Sequence, residues 1–300
     1  MDIYTYSAFG LTIRTNFELC SIPNAEEVGL FDLTIIKIDR LLRMPIGLED
    51  SPIQKQTPKG IQYHVNDIAT FLIREDNQII ISQYTDQDQL VECILMKGVM
   101  AAYFTSKGYC VFNGSAVLVN NKAQLFMGTP GIGFSSVAAG FHKLGYSVLS
   151  DEIILLKMQG NDFSLIPSLT YTKLWEDMIN QFGLKLKAKS KVRQKLPKFY
   201  IDLLPAQVKK SYPILSIAIL EINSTGIMNL ECNRLNTFEL IEKLGKHVNK
   251  GVGDFLDNRV IQFNTLNTLA TNLPNYKITR PKAIGDVGKL VDFILSKNDE

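Results

Sequence analysis

The segment Leu125-Phe126-Met127-Gly128-Thr129-Pro130-Gly131-Ile132-Gly133-Phe134-Ser135-Ser136 concentrates residues that can do chemistry. A β-prone run feeds a glycine-rich turn, and the turn feeds a helical run. That order aims backbone N–H groups and a helix N-terminus at an anion. The full phosphate-loop pattern is G-x-x-x-x-G-K-[ST], with lysine on the outer phosphates and the hydroxyl on magnesium. Gly128 and Gly133 fill the two glycine positions, with Gly131 between them. Ser135 holds the hydroxyl position, followed by Ser136, and Phe134 stands where the lysine belongs. Downstream, Asp151-Glu152 closes a short β-prone run. An acid there can hold magnesium directly or through water. Two adjacent acids can divide metal binding from proton abstraction. Ser135 and Asp151 are therefore the candidate metal ligands, and Glu152 is the candidate base. Each feature has a plainer reading: an ordinary strand-to-helix turn, and a solvated acidic pair.

The missing lysine is the severe departure. Phosphoryl transfer depends almost wholly on positioning and electrostatic stabilisation. Losing one aimed donor commonly costs on the order of 10²–10³ in rate. Lys143 lies too far round the following helix to aim at phosphates. The run Lys185-Leu-Lys187-Ala-Lys189-Ser-Lys191-Val-Arg193-Gln-Lys195 is the better source of a replacement cation. Its charges recur every second residue, so an extended chain puts them on one side. Its plainer reading is a solvated flexible loop, and its other functional reading is a strip for docking an acidic peptide. Ser115 has no readable Ser-His-Asp order around it and reads as a local hydrogen-bonding residue. Trp175 reads as core, His142 and His247 as surface helix residues, and His64 as lacking a visible partner.

The elements around these residues follow from periodicity. Ile3–Ser7, Leu11–Thr15, Phe31–Ile38, Gly60–Val65, Ala69–Arg74 and Gln78–Tyr84 read as strands. Arg43–Pro58, with three prolines, reads as an irregular connection. Leu90, Ile94, Leu95, Val99, Ala102 and Phe104 form a helical stripe that Asp86 or Asp88 can cap and that ends near Gly108. Tyr109–Phe112, Ser115–Val119 and Ala123–Met127 are strands leading into the loop. The helix after it runs over Phe134–Leu144 and is closed by Gly145. Ser147–Leu149 and Ile153–Lys157 flank the acid pair. Leu174–Phe182, Thr237–Leu244 and Ile284–Ser296 read as helices, and Ile214–Ile222 as an apolar strand. These elements divide the chain into a β-rich part, 1–86, and a loop-bearing domain, 87–300.

From Asn113 to Glu152 this layout resembles the HPr kinase/phosphorylase family without a gap, and more closely its shorter relatives. Some of those relatives phosphorylate a serine on ribosomal precursor peptides such as lasso peptides. Weaker likeness extends to Tyr6-Ser7-Ala8-Phe9-Gly10-Leu11, Thr172-Lys173-Leu174-Trp175 and Lys191–Pro197. The resemblance implies an α/β fold with α+β elements: a P-loop kinase core of the HPr kinase/phosphoenolpyruvate carboxykinase type, with the β-rich N-terminal part added. It implies ATP and Mg2+ as cofactors and a peptide or small protein as substrate or partner. Asn113 stands at the family's active-site histidine and Glu152 at its second aspartate, the proposed acid/base. Full-length members are hexamers, so a homo-oligomer is allowed. Two functions follow: a divergent serine kinase, or a pseudokinase that kept the fold as a peptide-binding or scaffolding module.

Composition narrows the remaining classes. The 300 residues are 46% hydrophobic and 21% charged, ordinary for a globular chain. A net charge of +2 gives no argument for nucleic acid or membrane. The longest apolar run, near Leu90–Phe104, is broken by Glu92 and Lys97. Met1-Asp2-Ile3-Tyr4 lacks the n- and h-regions of a signal peptide, so a cytoplasmic location is expected. The four cysteines are scattered, with no metal spacing.

Overall fold

The computed structural model describes the chain except residues 1, 23, 26–29, 40–41, 43–51, 130, 169–170, 185–191, 193–196, 203–210, 224–228, 249–255, 282–286 and 299–300. Among the described residues, seven strands form an N-terminal sheet: β1 Tyr4–Ala8, β2 Leu11–Thr15, β3 Leu33–Ile38, β4 Ile53–Thr57, β5 Gly60–Val65, β6 Ala69–Ile73 and β7 Gln78–Gln83. Their order is β1-β2-β3-β7-β6-β5-β4, with β2–β3 and β3–β7 parallel. Phe9 and Gly10 both take positive φ, which matches the turn twist of a tight hairpin. Alternating residues bury one face, with Ile13, Leu33, Ile35, Ile79 and Ile81 in the core.

Strand β4 falls inside the stretch expected to be irregular. Pro58 does not break it, because Pro58 and Lys59 form the two-residue turn that pairs Thr57 with Gly60. A proline in a turn gives up no ladder hydrogen bond. The polar sequence Ile-Gln-Lys-Gln-Thr suits an edge strand, which hides the period-2 signal.

The expected helix is present, but not uniformly α-helical. It runs as α1 Asp88–Ile94, a π-helical stretch Leu95–Val99, and α2 Met100–Ser106. Gly98 lets the Tyr63 ring pack against this stretch, where a Cβ would collide with the Tyr63 hydroxyl and ring. Neither Asp86 nor Asp88 caps the helix. Gln87 is the N-cap, without a side-chain cap bond, and Asp88 instead pairs with Lys37 at 3.2 Å. Val91, Leu95, Val99 and Met100 pack into the core of the N-terminal sheet.

The second sheet holds β8 Cys110–Val119, β9 Lys122–Met127, β10 Val148–Ser150, β11 Ile153–Gln159, β12 Asp162–Ile166, β15 Tyr212–Ile222, β16 Glu231–Arg234 and β17 Asn275–Arg280. Strand β9 lies between β8 and β15, antiparallel to the first and parallel to the second. The two strands expected at 109–119 are one strand. Gly114 carries it through, because the Phe126 carbonyl approaches where a Cβ would stand. Two apolar clusters flank this sheet. Phe126, Ala218 and Leu220 face α3 Phe134–Lys143, α4 Glu176–Phe182 and α7 Val287–Asn298. Leu125, Ile217 and Ile219 face α5 Thr237–His247 and α6 Leu256–Asn272. Period-2 alternation thus serves two buried faces, and the α/β fold is present with mixed sheets.

A separate ribbon pairs β13 Tyr171–Trp175 with β14 Lys198–Asp202. Leu174 and Trp175, expected in a helix, end β13, and α4 begins one residue later. Trp175 is not core: it is 47% exposed, with Lys198 Nζ 5.9 Å from its ring centroid. His247 is buried rather than on the surface, at the end of α5, and His64 Nδ1 finds Thr70 Oγ1 at 2.7 Å. The basic run Lys185–Lys195, apart from buried Val192, lies outside the described residues. Among the described residues no helix is long and apolar enough to cross a membrane.

Candidate functional site

The glycine-rich loop leaves the C-terminal end of β9 and enters α3 directly. Gly128 is required by space: a Cβ there would lie 2.8 Å from Ile132 Cγ2 and 2.9 Å from the Leu220 carbonyl oxygen. Gly131 and Gly133 are required by conformation, with φ of 89° and 100°. The Ile132 side chain anchors the loop in the core, and its N–H donates to Thr129 O at 3.0 Å. From the end of β17, Arg280 Nη2 and Nε both donate to Ile132 O, at 2.7 and 3.3 Å. Ser115 Oγ donates to Phe134 O at 2.9 Å and ties β8 to the first turn of α3. The Phe134 ring is half-buried and packs against the apolar cluster beneath α3. The position that would carry the loop's cation therefore holds a ring packed against the core. Ser136 sits half-buried in the first turn of α3.

The acid pair links β10 to β11, which both pair with β8. Asp151 is 1% exposed. Its Oδ1 accepts from Ser135 Oγ at 2.9 Å and its Oδ2 accepts from Thr172 Oγ1. Burial, and then the neighbouring Glu152 charge, push the Asp151 carboxyl up to about 6. Ser135 and Asp151, the two candidate metal ligands, are thus brought into direct contact.

Glu152 is turned elsewhere. Its φ of 65° is left-handed, which costs a non-glycine residue and marks a constrained position. Its Oε2 accepts from Lys173 Nζ at 2.6 Å, and Lys97 Nζ lies 3.9 Å from Oε1. Burial alone would raise the Glu152 carboxyl, but Lys173, Lys97 and Lys198 outweigh it and hold the group low. Lys173 is itself buried. The Glu152 charge overcomes that desolvation and raises its ammonium well above the ordinary lysine value.

Strand geometry separates the two carboxylates. Thr172 and Lys173 are neighbours on β13, so their side chains point to opposite faces of the ribbon. Leu174 and Ile201 lie on the Thr172 face and pack with α3. Tyr171 and Tyr200 lie on the Lys173 face and pack with the 88–106 helical stretch. Asp151 follows Thr172 to the loop side, and Glu152 follows Lys173 to the other. Lys173 Nζ also lies 5.8 and 5.5 Å from the Tyr171 and Tyr200 ring centroids and 3.6 Å from Cys93 Sγ.

Asn113 is half-buried on β8, opposite Ile153. Among the described residues its side chain makes no hydrogen bond to either carboxylate. Sequence reasoning gives Thr172, Lys173, Lys97 and Arg280 no role at the site. The alternation Tyr-Thr-Lys-Leu-Trp was the available signal for the ribbon strand, but a lysine in it reads as solvent-facing.

The loop's backbone fits an anion. Around it, Phe134 supplies no charge, both Asp151 oxygens accept hydrogen bonds, and Glu152 pairs with Lys173 on the other face of the ribbon.

No protein-family model matches the chain. No curated protein matches it in sequence. Among solved structures, that of the Hpr(Ser) kinase/phosphatase from Coxiella burnetii is similar over 63% of this chain and 95% of that one, at 12% identity and a TM-score of 0.34. That resemblance is weak and partial.

Proposed function

We propose that this chain is a phosphate-loop protein of kinase-like design that has given up phosphoryl transfer and serves as a binding module for a peptide or small protein. One observation carries the reading: Asp151 and Glu152 are held on opposite faces of the β13–β14 ribbon by Thr172 and Lys173. In transfer, the metal ligand and the base must meet at the same phosphoryl group. Glu152 is also held low by its lysines, which weakens it as an acceptor of a serine proton. The apolar ring of Phe134 removes the charge that would stabilise the transferred group.

The test is ATP turnover with magnesium, followed by calorimetric titration with ATP and a non-hydrolysable analogue. The wild-type chain is expected to show no turnover above buffer. The Phe134→Lys variant is expected to show none either, because it restores a charge without moving Glu152. Magnesium-dependent turnover by the wild type, abolished by Asp151→Asn and by Glu152→Gln, would overturn the proposal. A second reading, nucleotide binding without transfer, is favoured by the left-handed Gly131 and Gly133 and by the Ser135–Asp151 contact. Magnesium-dependent binding with no turnover selects it.

A further inference from the structure

The Lys173 face of the ribbon runs outward to Trp175 and Lys198, which are paired across β13 and β14. There the chain opens a cleft of about 470 Å³ lined by Trp175, Glu176, Asp177, Asn180 and Pro197. Trp175 is the only tryptophan, and almost half of it is exposed. An indole in that state is out of place for stability, since its burial is worth more than its exposure. Lys198 stands 5.9 Å from the ring centroid, so the indole already serves as a surface for a cation.

The cleft's polar groups are unspent. Among the described residues Asp177 Oδ1 accepts only from the N–H of Met178, at 2.8 Å. The Glu176 carboxylate, the Asn180 side-chain amide and the Trp175 indole N–H have no hydrogen-bond or ion-pair partner among the described residues. Two exposed acidic residues, an exposed asparagine and an exposed tryptophan therefore line one open cavity. A few convergent polar groups in an aromatic cleft are the usual makings of a recognition site. The combination selects a cation: the carboxylates supply charge, and the ring supplies the flat surface on which a guanidinium stacks. The cleft's size suits one or two side chains rather than a folded surface.

We infer that this cleft docks a basic peptide segment by an arginine side chain, stacked on Trp175 and paired with Glu176 and Asp177. None of the residues lining the cleft belongs to the glycine-rich loop, so the inference holds whether or not the loop binds phosphate, and its test uses no nucleotide.

Trp175 makes the experiment direct, because all indole emission comes from the cleft. The full chain is titrated with the peptide Gly-Arg-Gly-Arg-Gly, and with Gly-Glu-Gly-Glu-Gly as control, at low salt. A saturable change in emission is expected with the arginine peptide and none with the glutamate peptide. Raising the salt concentration should weaken the binding. Glu176→Gln/Asp177→Asn should bind roughly tenfold more weakly, as two lost charge contacts of the exposed kind imply. Both residues are exposed, so the double variant should keep the wild-type circular dichroism and melting temperature. Calorimetry on Trp175→Leu, which has no indole to report, should show weaker binding of the same peptide. No saturable change with the wild type, or unchanged affinity in the double variant, would overturn the inference. So would emission that depends on protein concentration without peptide, since that marks a second copy of the chain as the occupant.

Discussion

Replacing Lys173 by methionine should cost this fold about 3 kcal/mol, and the reason lies in Glu152. Methionine keeps most of the stem between Tyr171 and Tyr200, so the apolar packing there changes little. The ammonium is lost, and Glu152, with only 13% of its side chain exposed, keeps its charge without its nearest partner. Breaking a buried pair from one side generally costs about 3–5 kcal/mol, because the remaining charge is uncompensated. Lys97 Nζ, 3.9 Å from Oε1 and 45% exposed, offsets part of that, which sets the expectation at the low end. Equilibrium unfolding in urea, followed by far-UV circular dichroism, measures the difference. The melting temperature should fall by about 6–12 °C, taking ~2–4 °C per kcal/mol for a chain of this size class. The control is Lys173→Met/Glu152→Gln. Removing both charges leaves nothing uncompensated, so the double variant should recover to within about 1–2 kcal/mol of wild type. If Lys173→Met lies within about 1 kcal/mol of wild type, the pair is not the buried interaction described here. A double variant less stable than the single one would equally refute the charge argument.

Two further outcomes follow from the same geometry. Asp151 has its folded carboxyl raised from 3.8 to about 6, so its ionisation costs stability above about pH 6 and the cost disappears as pH falls below about 4. Compared with Asp151→Asn, the wild type should therefore gain about 2–3 kcal/mol between pH 7 and pH 4, read by urea unfolding across that range; a difference that is flat or of opposite sign would refute it. Gly98→Ala should destabilise by about 1–3 kcal/mol, although alanine normally improves a helix by ~1 kcal/mol, because the added methyl meets the Tyr63 ring; pairing it with Tyr63→Ala should shrink that penalty.

The parts of this molecule that were legible in sequence are those in which a local rule has one physical meaning. Glycines at 128, 131 and 133 between a β-prone run and a helical run could only be a strand, a turn and a helix, because the turn demands close approach and left-handed backbone. Leu125–Met127 and Ile217–Leu220 read as strands because both of their faces are apolar. What escaped was set by contacts distant in sequence. Ile53–Thr57 is a strand because Gly60–Val65 accepts its backbone, which its own polar residues do not announce. The π-helical stretch exists where Tyr63 packs against Gly98, 35 residues away in sequence.

The acid pair shows the same limit at the site. Two adjacent acids after a strand invite the reading that both serve one centre. Alternation along β13 decides otherwise, because it offers a hydroxyl at 172 on one face and an ammonium at 173 on the other. Sequence points to the basic run Lys185–Lys195 as a source of cations, since exposed charge is what sequence displays best, and apart from Val192 that run lies outside the described residues. The cation nearest Glu152 among the described residues is a buried lysine in an apolar strand, Lys173, stabilised by the carboxylate it neutralises. A lysine at such a position is unfavourable until its partner is in place, and the partner is supplied by the chain 21 residues earlier. Residue types thus identified the acids, but only the ribbon's two faces show that they are divided between the loop and the N-terminal layer. That division is why Phe134→Lys is not expected to restore a kinase.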